Sequence, residues 1–204
     1  MNRRDILEFA VLGVLAEGPT HGYELRKKLT EMLGPFRSLS YGTLYPTLRR
    51  LESRGAIESL SMTPQDPAAV MRSKRARIVY ALTPDGKEEF EQWANRPGPD
   101  SWEDEAFASH LAFFSRTERR ARLRILHGRR TWLDERLATL RSALVNERDR
   151  LDPYTLSMRS LNVESAEREM QWLDELIESE ESTNTATPTT QAGKTTQTRK
   201  TKES

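Results

Sequence analysis

The stretch from Ser40 to Glu58, SYGTLYPTLRRLESRGAIE, gathers small hydroxyls, two tyrosines and three arginines around one proline. A proline deep inside a helix forfeits a backbone hydrogen bond and clashes with the preceding turn, at about 3 kcal/mol. A helix here is therefore predicted to start near Gly42. Pro46 then lies in the first turn or just past it, where N–H groups lack intrahelical partners. In that register Leu44, Leu48 and Leu51 form an apolar stripe, while Thr43, Thr47, Arg50 and Arg54 form a polar, basic stripe that looks outward. Gly55 is placed to stop the helix. Orphan N–H groups, hydroxyls in the first turns and arginines beyond suit the phosphates and base edges of a DNA major groove.

A second cationic group follows at Arg72, Lys74, Arg75 and Arg77, with no acid among them. From Arg37 to Arg77 eight basic residues face Glu52, Glu58 and Asp66, a local excess of five, although the whole chain of 204 residues carries a net charge of only +1. Such clustering neutralises phosphates and makes binding depend on salt. The plain alternative for Thr43, Thr47, Arg49, Arg50 and Arg54 is a solvated helix face.

Other chemistries find little support. His21, His110 and His127 are far apart and lack ligand spacing with carboxylates, so no metal is expected. With no cysteine in the chain, disulfides and thiolate sites are excluded. No Ser-His-Asp pattern or glycine-rich phosphate loop stands out, so neither catalytic residues nor a cofactor are expected. The longest apolar run, Phe9 to Ala16, is far shorter than the roughly 20 residues a bilayer needs. Asp5 and Glu8 interrupt the N-terminal region, which is read as a core helix rather than a signal peptide. A cytoplasmic protein without membrane contact is the expectation.

The elements that must position the basic groups can be read from apolar spacing. Ile6 to Glu17 makes one helix before Gly18-Pro19; Thr20 caps a second that carries Tyr23, Leu25, Leu29, Met32 and Leu33 and stops at Gly34-Pro35. The Gly42 helix is third. Residues 56–62 and 77–82 read as strands joined by a long loop. Thr83-Pro84 opens another helix, through Phe90 and Trp93. Three helices followed by a hairpin is the winged helix-turn-helix order.

Beyond RPGPD (Arg96 to Asp100) the pattern changes. Ser115 to Glu118 is a possible capping box, and Leu126, Leu133, Leu137, Leu140 and Leu144 follow at heptad-like spacing to a stop at Pro153. Val163, Ala166, Met170, Leu173 and Ile177 give a second seam on a returning helix. Residues 116–150 hold eleven arginines against five acids, a net +6; residues 151–181 hold two arginines against nine acids, a net −7. These helices should attract each other, or the equivalent helix of a second chain. The predicted class is mainly α with a small β-hairpin wing. Its units are a winged helix-turn-helix at 1–95, a linker at 96–102, an antiparallel helical dimerisation domain at 103–181 and a disordered polar tail at 182–204.

The motifs THGYEL (Thr20 to Leu25), SYGTLYPTLRRLESRGAIE and YALTPDGK (Tyr80 to Lys87) occur in order, and with them the chain resembles the PadR family of bacterial transcriptional regulators. The resemblance covers roughly the first half; the paired C-terminal helices look like the helical domain of the larger subfamily, whose best known relatives respond to phenolic acids. It implies a homodimer that binds an inverted-repeat operator in double-stranded DNA and usually represses, with a ligand or other cue releasing it; activation stays open. The motif places Ser40, Tyr41, Gly42, Thr43, Tyr45 and Pro46 at the start of the recognition helix, with Thr47, Arg49 and Arg50 beyond. It places the wing at Arg72 to Arg77, and Thr20, His21 and Ser38 complete the candidate DNA-contacting set. Relatives commonly carry an RKYY-like strand in the wing where this chain has SKRARIVYAL, which leaves the wing-tip base contacts open. The seam residues Leu126, Leu133, Leu137, Leu140, Leu144, Val163, Met170, Leu173 and Ile177 are the candidate dimer contacts.

Trp93, Trp102, Phe107, His110, Phe113 and Phe114 fall where the two units meet. They could line a pocket for a flat hydrophobic or aromatic effector, or simply pack the joint. Two rival functions remain at this stage: an interaction scaffold acting through the C-terminal helices, and a sensor or enzyme acting at these aromatics.

Overall fold

The computed structural model describes residues 1–33, 41–61, 78–147 and 150–182. The predicted wing loop with Arg72, Lys74, Arg75 and Arg77, the serines Ser38 and Ser40, and residues 183–204 of the polar tail lie outside them.

Helix α1 (Arg3–Ala16) is capped by Asn2, whose side chain accepts from the N–H groups of Arg4 and Asp5, and is buried continuously from Ile6 to Leu15. An apolar run of that length has no face to spare for water, so the rest of the N-terminal unit wraps around it. Helix α2 (Gly22–Leu33) contributes Leu25 and Leu29, and helix α3 (Tyr41–Ser53) contributes Leu44, Leu48 and Leu51, all five essentially without solvent contact. Each such leucine is worth about 1.5–3 kcal/mol relative to exposure. Strands β2 (Ile57–Ser61) and β3 (Ile78–Leu82) pair antiparallel, Ile57 opposite Leu82 and Ser61 opposite Ile78.

The sheet has a third strand. Thr20, expected to cap the second helix, instead forms strand β1 (Thr20–His21) with His21; it pairs with β3 in the order β1-β3-β2, and α2 starts two residues later. The Thr20 hydroxyl donates to the carbonyl of Gly18 at 2.9 Å, bracing the turn before the strand rather than the helix.

Gly55 ends α3 as its position predicts, with φ of 78°, a left-handed conformation that favours glycine. Helix α4 (Pro84–Ala94) starts at Thr83, which accepts from the N–H of Gly86 at 3.1 Å while its hydroxyl donates to the Gly55 carbonyl at 2.6 Å. One threonine thus ties the end of α3 to the start of α4.

Residues expected as a linker contain a short 3-10 turn, Pro99–Ser101, with Ser101 buried. A helix without a clear sequence signal follows, α5 (Asp104–Ala112). Aromatics flanking α5 plug into glycines on both sides. A Cβ on Gly13 of α1 would stand 2.2 Å from Phe113 Cζ. One on Gly128 would stand 2.0 Å from Trp102 Nε1.

The second core is the hairpin of α6 (Arg119–Glu147) and α7 (Pro153–Ser182). The long helix begins after a 3-10 turn at Phe114–Arg116, so Ser115 does not cap it; the Glu118 N–H donates to Asn95 Oδ1 at 2.8 Å. All nine seam residues named as dimer contacts pack inside one chain. Leu126, Leu133, Leu137, Val163, Leu173 and Ile177 are buried between the helices, with Leu140, Leu144 and Met170 against them. The charge asymmetry acts in the same place. Arg122 pairs with Glu180 at 2.8 Å, Arg141 with Glu167 at 2.6 Å, and Arg130 with Asp174. Of the two partners open to the basic helix, its own acidic neighbour takes it.

Candidate nucleic-acid interface

The apolar stripe of α3 faces inward as expected, but the polar stripe expected to face outward divides: Thr43 and Arg54 keep solvent contact, while Thr47 is buried and Arg50 half-buried. Thr47 is 1 % exposed; its hydroxyl donates to the Thr43 carbonyl at 3.0 Å and accepts from Arg50 Nη2 at 3.0 Å. Arg50 Nε and Arg54 Nη1 donate to Glu8 of α1 at 3.0 and 2.8 Å, and Arg54 Nη2 donates to Glu89 of α4 at 2.6 Å. Glu8, itself 3 % exposed, is the reason: a buried carboxylate must be paired, and these guanidinium groups pair it. Burial alone would raise its pKa, but hydrogen bonds from Arg50 and Arg4 and the charge of Arg54 hold it below the ordinary carboxylate value.

The face left to solvent is Gly42, Pro46, Arg49 and Ser53, at spacings of four, three and four, with Thr43 exposed on its edge. Pro46 is the sixth residue of the helix, just past the first turn. Its missing N–H deprives only the carbonyl of exposed Gly42. Tyr45 is half-buried against the N-terminal core, and Tyr80 next to it has its phenol pushed up by burial and by the neighbouring Tyr45. Tyr41 opens the helix. On β1, Thr20 and His21 are half-buried, and His21 Nδ1 is buried without a hydrogen-bond partner.

Three helices around a small antiparallel sheet, with one helix presenting a glycine, a hydroxyl, a proline and an arginine, form a winged-helix domain. Residues 11–92 match the transcriptional regulator PadR-like family. The match covers the winged-helix domain, less than half of the chain. Among curated relatives, the negative transcriptional regulator PadR of Bacillus subtilis is 31% identical over 102 residues, 49% of this chain and 52% of its own length. A probable transcriptional regulator of Mycobacterium tuberculosis is 25% identical over 91 residues, 45% of this chain and 44% of its own length. The chain thus spans about half the length of the curated relatives it matches. Among solved structures, B. subtilis PadR in complex with operator DNA is 22% identical, with 86% of this chain and 99% of that one covered, at a TM-score of 0.39. The same protein in complex with p-coumaric acid is 21% identical, with 89% and 98% covered, at a TM-score of 0.39.

The six aromatic-joint residues are divided between the two cores. Phe113 packs with Phe9 and Phe90 at centroid distances of 5.5 and 5.4 Å, and His110 lies 4.8 Å from the Phe9 ring. Phe107 and Phe114 belong to the hairpin core, and Trp102 is seated on Gly128. Trp93 and His110 border one cleft, about 390 Å³, together with Asp5, Arg96 and the Pro97–Ser101 turn. His110 is 1 % exposed, its Nδ1 has no partner, and burial pushes its pKa down to about 4.

Sequence reasoning also missed Arg129, which is 3 % exposed. It donates to Glu169 Oε1 at 2.6 Å and to the Trp102 carbonyl at 2.6 Å, and lies 2.8 Å from Asp104. One of eight arginines on a basic helix carries no mark in the sequence; only its burial singles it out. No helix among the described residues is long and apolar enough to cross a membrane. Among those residues no group of three or more potential ligand side chains could hold a metal ion.

Proposed function

We propose that this protein is a sequence-reading DNA-binding transcriptional regulator, acting as a homodimeric repressor on an inverted-repeat operator. The observation that carries the reading is the exposed face Gly42, Thr43, Pro46 and Arg49 on α3 of a PadR-like winged helix. That face enters the major groove, where Arg49 can take a guanine edge or a phosphate. Arg72, Lys74, Arg75 and Arg77, in the sequence joining β2 to β3, add phosphate contacts beside it. Dimer symmetry sets two such helices about 34 Å apart.

Self-association is supported by an apolar stripe the hairpin does not use. Tyr154, Met158 and Leu161, at spacings of four and three on α7, are 88%, 58% and 55% exposed, and Val145 on α6 is 74% exposed. The effector reading is supported by the cleft at Trp93 and His110, where a flat ring can lie on the indole and an acidic group can meet Arg96.

The test is fluorescence anisotropy with DNA from upstream of the protein's own gene against a scrambled duplex across a salt series, with sedimentation of the free and bound protein. Tight, sequence-preferring binding that weakens steeply with salt, by a protein of twice the chain mass, is the expected result. Equal weak binding to both duplexes would refute the reading and leave the interaction scaffold.

A further inference from the structure

Glu8 lies on α1, outside every element expected to touch DNA, yet it collects charge from the recognition helix. Arg50 Nε and Nη2 both lie 3.0 Å from its Oε1, Arg54 Nη1 2.8 Å from its Oε2, and Arg4 Nε 3.3 Å from Oε1. Glu89 of α4 shares Arg54. Around a helix each residue advances by roughly 100°, so Arg50 points about a quarter turn away from Arg49. One of two adjacent arginines faces solvent, and the other is held on a buried acid.

We propose that Glu8 is a positioning residue for DNA recognition, which withholds Arg50 and Arg54 from the phosphates and fixes the rotation of α3 so that Arg49 faces the groove. This rests on the DNA-binding reading above. Its advantage is specificity: phosphate contacts strengthen binding to every sequence alike, whereas base contacts discriminate. A helix end lined with three free arginines would grip any duplex; Glu8 leaves one of them to read. Removing its charge while keeping its shape releases Arg50 first, because Arg54 retains Glu89.

The experiment measures affinity of the full chain for operator and scrambled duplexes across salt for wild type, Glu8→Gln, Arg50→Ala and the double variant, with melting to confirm folding. Glu8→Gln is expected to bind scrambled DNA more tightly and to steepen the salt dependence by about one phosphate contact, a further roughly 3.5-fold loss of affinity between about 50 and about 200 mM salt. Its preference for operator over scrambled DNA falls. Arg50→Ala alone leaves the salt dependence unchanged, and added to Glu8→Gln it restores the wild-type slope. If Arg50→Ala alone flattens the slope by one contact, Arg50 already touches phosphate and the inference is wrong; that variant decides even if Glu8→Gln fails to fold. A folded Glu8→Gln with unchanged slope and preference would also overturn it. Failure of the underlying reading has another signature: wild type itself would prefer neither duplex.

Discussion

Replacing Arg129 by methionine removes the charge from a crowded polar node and keeps a long apolar stem. The guanidinium joins α5, α6 and α7: it meets Asp104 at 2.8 Å, Glu169 at 2.6 Å and the Trp102 carbonyl at 2.6 Å, and lies 4.5 Å from the Trp132 ring centroid and 5.1 Å from that of Phe107. Breaking a fully buried ion pair costs about 3–5 kcal/mol. Here the Asp104 and Glu169 side chains are 58% and 32% exposed and regain water, which pulls the ionic loss down to about 1–2 kcal/mol. The abandoned Trp102 carbonyl adds about 1 kcal/mol and the two ring contacts about 0.5 kcal/mol each. The expected loss is about 3–4 kcal/mol, a fall in Tm of about 10 °C for a chain of this size. Calorimetry and urea unfolding measure it, and tryptophan emission gives a local report because Trp102 and Trp132 border the node. Arg129→Lys should fall between the two, keeping the charge and losing the fork. A methionine variant within about 1 kcal/mol of wild type would show that the node merely satisfies its own charges and does not hold the hairpin to α5.

Three further outcomes follow from the geometry. Arg49→Ala should cost about 1–3 kcal/mol against the preferred duplex and relax sequence preference, with melting unchanged, as measured by anisotropy and scanning fluorimetry. Gly13→Ala drives a methyl into the Phe113 ring and should destabilise by about 1–3 kcal/mol in urea unfolding, with partial rescue by Phe113→Leu. Acid should weaken the fold in two stages. His110 stays neutral when folded, with a pKa of about 4 against an ordinary 6.5, so the unfolded chain alone gains its proton as pH falls from about 6.5 to about 4, at a cost of roughly 3 kcal/mol. Glu8, held below its ordinary value, contributes stability above about pH 4.5 that is lost as pH falls through its lowered pKa. Urea midpoints against pH check both, and His110→Phe should abolish the upper stage.

The N-terminal helices, the hairpin and the antiparallel α6 and α7 were legible because each rests on a long apolar repeat or a strong breaker such as Gly18-Pro19 or Pro153. Strand β1 was not, since two residues carry no period; Thr20 bears a hydroxyl that suits a cap as well as a strand, and only its pairing with Tyr80 decides. The helical register of α3 was legible, but not which polar side faces water, because that depends on Glu8, more than forty residues away from Arg50 and Arg54 in sequence. The same holds for the seam leucines. Heptad spacing says that a helix has a partner and is silent on whether that partner is its own chain. Phe113 and Trp102 read as pocket aromatics because nothing local reveals the glycines that receive them.

The seat of Trp102 on Gly128 has a mechanical meaning. Gly128 lies a third of the way along α6 (Arg119–Glu147), and the residues beyond it at 1.5 Å each make an arm of roughly 28 Å. Pivoted at that contact, such an arm turns each degree of tilt into roughly 0.5 Å at its far end. A tilt of about 5° about that contact would carry the tip, with Val145 and Tyr154, across roughly 2.5 Å. The hairpin is thus a lever with its fulcrum at a glycine.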